Sequence, residues 1–166
     1  MPDGPRLERF KAAQDSLHAG YESALTEIRA GGKRGHWIWY VFPQLSGLGT
    51  SSLSQAYAIG GEDEAIAFVR DPLLRSRLLT ITEAVAAQLR RRTPATLGAL
   101  MGSDVDARKI VSSLTLFRHV ARALHTAGGN SEYEALAAAA DEVLTAAAAE
   151  GYQPCAYTLR HLRGPG

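Results

Sequence analysis

Apolar residues recur at three- and four-residue spacing along almost the whole chain, a period that belongs to amphipathic helices. Leu7, Phe10, Leu17, Tyr21, Leu25 and Ile28 form the first such stripe, with Gly20 inside it as a point of kinking or splitting and Gly31-Gly32 as its stop. Glu62–Arg70 reads as a helix whose acidic first turn suits the positive end of the helix dipole. Asp71-Pro72 supplies a capping acceptor followed by proline at the first helical position. It predicts a helix to about Arg91 with Leu74, Leu78, Ile81, Val85 and Leu89 as its stripe. Thr93-Pro94 repeats the signal and predicts a short helix through Leu100. Ser103 or Asp104 caps a helix to about His125, with Ile110, Leu114, Phe117, Ala121 and Leu124 inward. Ser131 opens a last long helix, with Tyr133, Leu136, Ala140, Val143, Leu144 and Ala147 inward. Gly151 ends it, and Pro154 opens a terminal piece reaching Leu162. The expected fold is all-α: a compact, single-domain orthogonal bundle of about six to eight helices over residues 1–166.

One stretch resists this pattern. Gly35–Leu48 holds both tryptophans, Trp37 and Trp39, with Tyr40 and Phe42 close by, His36 before them and Gln44 after. It shows no alternation, so a buried strand and a short buried helix both fit, and Pro43 ends either. If the piece is helical, residues two apart diverge by about 200°. One tryptophan then faces the core and the other a cavity or a second layer. Gly47–Ser52 is a turn-rich loop, and Ser52 is expected to cap a short helix through Ala58. The hydroxyls of Thr50, Ser51 and Ser52 either cap that helix or join its free amides in holding an anion.

Composition removes several function classes. The 166 residues carry a formal net charge of +1, which gives no electrostatic case for sequence-independent nucleic-acid binding. Arg90–Arg92 with the aromatics is the weak remainder of that idea. The single cysteine, Cys155, excludes an intrachain disulfide. No basic-then-apolar leader opens the chain, and no apolar run approaches the roughly 20 residues that span a bilayer. A cytoplasmic protein with no membrane association is expected. His18, His36, His119, His125 and His161 form no pair four apart flanking a glutamate, so no metal and no other cofactor is expected. A Gly-x-Ser-x-Gly elbow is missing, and Gly47-Leu48-Gly49 lacks the third glycine of a dinucleotide loop.

Two sets of polar residues remain. Lys109, Ser112 and Ser113 lie at positions i, i+3 and i+4 of one helix, with Arg108 adjoining. A cation with two hydroxyls suits a phosphate or carboxylate; the alternative is a solvated helix face. His36, beside two tryptophans, is the candidate general acid or base.

The run Gly32–Gly49, with Ser51, Ser54 and Tyr57-Ala58-Ile59, resembles the signature of the domain of unknown function 1810 family. Asp71–Leu78 and Asp106–Phe117 look like its following blocks. The resemblance implies a compact, mostly helical domain with no established reaction. It places His36, Trp37, Trp39, Gln44, Ser51, Lys109 and Ser113 within the family motif. It also implies an aspartate three residues before Thr158-Leu159, where this chain has Cys155. A thiol replaces an ionised carboxylate near neutrality only if its pKa is lowered.

The expected function is a pocket for a small anionic, ring-containing ligand of nucleotide or ADP-ribose type. Trp37 or Trp39 with Tyr40 would wall the ring. Lys109, Ser112 and Ser113 would hold the anion, with Gln44, Ser51 and the Gly47–Ser52 amides at hand. Hydrolysis through His36 is the most economical chemistry. The rival is a protein-interaction module or homodimer that uses Trp37, Trp39 and Tyr40 as an exposed patch, without catalysis. Exposure of the rings separates the two.

Overall fold

The computed structural model describes residues 3–91 and 96–162, and in these it is all-α. In chain order the helices are α1 (Asp3–Gln14), α2 (Tyr21–Arg29), α3 (Ile38–Val41), α4 (Ser52–Ala56), α5 (Glu62–Arg70), α6 (Pro72–Leu89), α7 (Leu97–Met101), α8 (Asp104–Thr126), α9 (Ser131–Ala149) and α10 (Ala156–His161). α3, α4 and α7 are short turns of helix between longer ones, and α10 is a short helix that follows α9. Among the described residues the only β pairing is an isolated parallel bridge, Leu45 to Ile59. No described helix is long and apolar enough to cross a membrane.

Local chemistry sets most of the boundaries. The Asp71 carboxylate accepts from the N–H groups of Leu73 and Leu74, each at 3.0 Å, and Pro72 follows it as the first helical residue. Ser103 caps α8 by accepting from the Asp106 N–H at 3.1 Å. Asn130, rather than Ser131, caps α9 through the Glu132 N–H at 2.8 Å. The first apolar stripe is split, not kinked: α1 stops at Gln14 and α2 restarts after Gly20. A Cβ on Gly20 would lie 2.1 Å from the Ser16 carbonyl oxygen, so the turn needs glycine. Leu17 falls in this turn and is 91% exposed, outside the stripe that its spacing suggested. Thr93 and Pro94 lie outside the described residues. The short helix expected near them is α7, capped by Thr96 through the Ala99 N–H at 3.1 Å.

The centre of the molecule is α8, which packs against α9, α5, α7, α10 and α3. Every residue from Ile110 to Phe117 is buried, Ser112 and Ser113 included. A helix covered on all sides has no solvated face in that stretch, so the solvated-face alternative for the two serines is removed. The rings of Phe10, Phe68 and Phe117 run in a chain through the core, with centres 5.2 Å and 5.0 Å apart. At the edge, the Glu64 side chain is only 2% exposed and pairs with Arg6 and Arg9 at 3.1 and 3.0 Å. It also accepts from the Gly60 N–H at 2.7 Å. Burial pushes its carboxyl up, but the Arg9 hydrogen bonds, the Gly60 N–H and the two guanidinium charges outweigh this and hold it below the ordinary range.

Candidate functional site

The aromatic stretch folds as the single helical turn α3, and its two tryptophans part company. Trp37 is fully buried. Its indole Nε1 donates to Glu27 Oε1 at 2.9 Å, and the same oxygen accepts from the N–H groups of Arg34 and Gly35 at 2.8 Å each. Burial raises the Glu27 pKa, but the N–H groups of Gly35 and Arg34, the Trp37 indole and the Lys33 charge together leave it lowered. Lys33 sits 5.1 Å from the Trp37 ring centre, pairs with Asp106 at 2.8 Å and donates to the Gly35 carbonyl at 2.6 Å. This cluster ties the loop before α3 to the start of α8.

Trp39 faces another way. It is partly buried, and the Lys109 ammonium lies 5.3 Å from its ring centre. Tyr40 is buried, with its hydroxyl donating to the Ala19 carbonyl at 2.5 Å and its ring edge-on to Tyr57 at 5.2 Å. Trp37 and Tyr40 therefore offer neither a stacking wall nor an exposed patch. Both rings are consumed by the core.

The loop after α3 is held at two points. The Ser46 N–H donates to the Ile59 carbonyl at 2.8 Å, and the Ile59 N–H to the Gln44 carbonyl at 2.9 Å. From the far end of the chain, the Tyr157 hydroxyl donates to the Ser46 carbonyl at 2.8 Å. Gly47 has φ +99°, and a Cβ there would lie 2.1 Å from that hydroxyl.

Between this loop and α8 runs a groove of about 530 Å³. Gln44 and Leu48 form one side, and Val105, Arg108, Lys109 and Ser112 of α8 form the floor. Residues 151–156, which join α9 to α10, close the other side with Tyr152, Gln153, Pro154 and Cys155. The lining holds two cations and neither a carboxylate nor an imidazole. Arg108 is engaged by Asp104 at 2.9 Å and lies 5.7 Å from the Tyr152 ring centre, while the Tyr152 hydroxyl donates to Asp104 at 2.8 Å. Among the described residues no carboxylate pairs with Lys109. A hollow of about 10 Å³ adjoins the groove and shares Gln44 and Lys109 with it. Trp39 lines that hollow, and its Nε1 is buried without a hydrogen-bond partner. The space is about one water molecule in size.

Cys155 stands at the N-cap of α10, and its own N–H donates to the Thr115 hydroxyl at 3.1 Å. Burial pushes the thiol up. The hydroxyls of Ser112 and Thr158 and the N–H groups of Thr158 and Tyr157 act the other way and prevail, leaving it below the ordinary cysteine value.

Of the residues expected at a site, the fold brings Gln44, Lys109 and Ser112 together at the groove and sets Trp39 directly beneath Lys109. His36 is exposed and lines neither the groove nor the hollow. Ser51 caps α4, accepting from the Ser54 N–H at 3.1 Å, so its hydroxyl serves the helix end. Ser113 is fully buried outside the groove lining, and its hydroxyl has no partner. Tyr152 and Gln153 were not anticipated. They belong to an aperiodic connection, where only Pro154 and the Cys155 departure gave any signal.

The family described as "Protein of unknown function (DUF1810)" matches residues 5–139. The crystal structure of the conserved hypothetical protein Rv1873 from Mycobacterium tuberculosis is similar, with a TM-score of 0.70 and 31% sequence identity over 96% of each chain. No curated protein matches the chain.

Proposed function

The chain belongs to the DUF1810 family, whose description names no reaction, and for this member we propose that the groove along α8 binds a small anionic, ring-containing ligand of nucleotide or ADP-ribose type. The observation that carries this reading is the charge of the lining, which holds Arg108 and Lys109 and no carboxylate; Asp104, just outside it, pairs with Arg108 and not with Lys109. Of the two, Lys109 is the stronger anchor, since Arg108 already serves Asp104. An anion at Lys109 meets an ammonium that is only partly desolvated and has no competing carboxylate. The Ser112 hydroxyl donates to the Arg108 carbonyl at 3.0 Å and would have to turn to donate to a ligand. The Gln44 and Gln153 amides are the readier neutral donors. The ring would lie against Leu48, Val105, Pro154 and Tyr152. The groove volume falls within the few hundred to one thousand Å³ usual for such sites.

Binding, rather than hydrolysis, is the activity this chemistry favours. The lining offers no general base, and His36 lies elsewhere. Trp39 is a built-in reporter, because any anion that draws Lys109 away changes the field on its ring. Titration with ADP, ADP-ribose and inorganic pyrophosphate should give a saturable change in tryptophan fluorescence. Lys109→Gln should weaken the affinity by about fivefold to tenfold, the size of one partly exposed charge-assisted contact. No saturable change with any of the three compounds overturns the reading.

A further inference from the structure

We infer that the anionic end of the ligand is a terminal phosphoryl group, one oxygen of which enters the hollow beside the groove and accepts the Trp39 indole N–H while Lys109 pairs with its charge. The inference rests on the anion-binding reading and names the end of the ligand and its seat. Trp39, Gln44, Ser54, Tyr57 and Lys109 line the hollow, and Gln44 and Lys109 line the groove as well. An anion held by those two side chains in the groove is therefore next to the hollow. Trp39 Nε1 is buried and has no hydrogen-bond partner among the described residues. An indole nitrogen only donates, and a buried donor left unpaired is costly. This N–H calls for an acceptor that the described residues do not supply.

The other polar groups around the hollow can all donate, and no carboxylate lines it. The Lys109 ammonium lies 5.3 Å from the Trp39 ring centre. The Ser51 hydroxyl donates to Ser54 Oγ at 3.0 Å, which leaves the Ser54 proton free. A Cβ on Gly49 would lie 2.5 Å from Ser54 Oγ and 3.6 Å from Gln44 Nε2, so the bare backbone there lets both side chains close in. A cation and neutral donors with no acid among them select an anion. Size selects which end of it. The hollow of about 10 Å³ has room for one water or one oxygen. A phosphate inside a chain is substituted on both sides, and both substituents must clear the walls. A terminal phosphoryl group offers three bare oxygens and nearly two charges.

The experiment follows the two indole N–H signals of the unaltered protein by NMR, with ADP, inorganic pyrophosphate and ADP-ribose as probes. Trp37 is the internal reference, because its indole already donates to Glu27 at 2.9 Å, and Trp39→Phe assigns the other signal. ADP and pyrophosphate, which end in a phosphoryl group, should shift the Trp39 signal downfield in a saturable way and leave that of Trp37 in place. ADP-ribose, whose phosphates are both internal, should bind about fivefold more weakly than ADP by calorimetry, the size of one charge-assisted hydrogen bond. In Trp39→Phe the ADP affinity should fall by about the same factor, and the preference over ADP-ribose should vanish. An ADP complex that leaves the Trp39 signal unmoved, or equal affinity for ADP and ADP-ribose, overturns the inference while anion binding stands. If none of the three compounds binds, both fail.

Discussion

One oxygen of Glu27 accepts the Trp37 indole N–H at 2.9 Å while also accepting two backbone N–H groups, from Arg34 and Gly35. The largest fully buried ring among the described residues is thus oriented by a carboxylate ten residues before it. Glu27→Gln keeps the shape but removes the charge behind three hydrogen bonds. It should destabilise the protein by about 1–3 kcal/mol, read as a lower urea midpoint. A midpoint unchanged from the parent would mean that the loop holds Trp37 without the carboxylate.

Glu64, Glu27 and Asp71 all have lowered pKa values. Their folded values lie below the unfolded ones, so their contribution is complete above the ordinary carboxylate range. It is lost as pH falls through the folded values. Urea midpoints should therefore fall progressively between about pH 5 and pH 3. In Glu64→Gln the fall should be shallower, from a lower starting stability. An equally steep fall in that variant would remove Glu64 from the acid transition.

Gly47 should not tolerate a side chain. Its φ of +99° disfavours one, and a Cβ would meet the Tyr157 hydroxyl at 2.1 Å. Gly47→Ala should cost about 1–3 kcal/mol in thermal or urea unfolding. Tyr157→Phe relieves the contact and loses the bond to Ser46, so the double variant should cost less than the sum of the two single ones. Full additivity would show that the backbone angle alone carries the penalty.

Thr82 is fully buried on α6, and its hydroxyl has no partner. Thr82→Val removes an unsatisfied polar group and keeps the shape. The expected result is neutral to about 1 kcal/mol more stable by urea unfolding. A clear loss would place a bound water on that hydroxyl.

Much of the fold was legible because helix ends announce themselves chemically. Asp71-Pro72 and Ser103 cap where expected, and α5 has the predicted bounds. Trp37 and Trp39 diverge as helical geometry would have them, but only Trp39 lies in α3, while Trp37 stands at its N-cap with φ −122° and ψ 3°, outside the helical range. Ser113 was misplaced because periodicity assumes that a helix has one covered side, whereas α8 is surrounded. Tyr40 and Ser51 were drawn to a ligand by residue type, when local partners already engage them at Ala19 and Ser54. The groove itself was only half visible. The α8 floor has a spacing that can be read, but the wall at residues 151–156 has none, and what brought it to the site is tertiary packing.

The groove takes its walls from Gln44 and Leu48 on one side and from residues 151–156 on the other, with Tyr157 fastening the two across 111 residues. During synthesis the α8 floor leaves the ribosome well before the second wall. A nascent chain therefore has Lys109 before it has both walls of the groove. The groove is assembled only once α10 has docked against the loop after α3, which makes its shape a product of long-range packing.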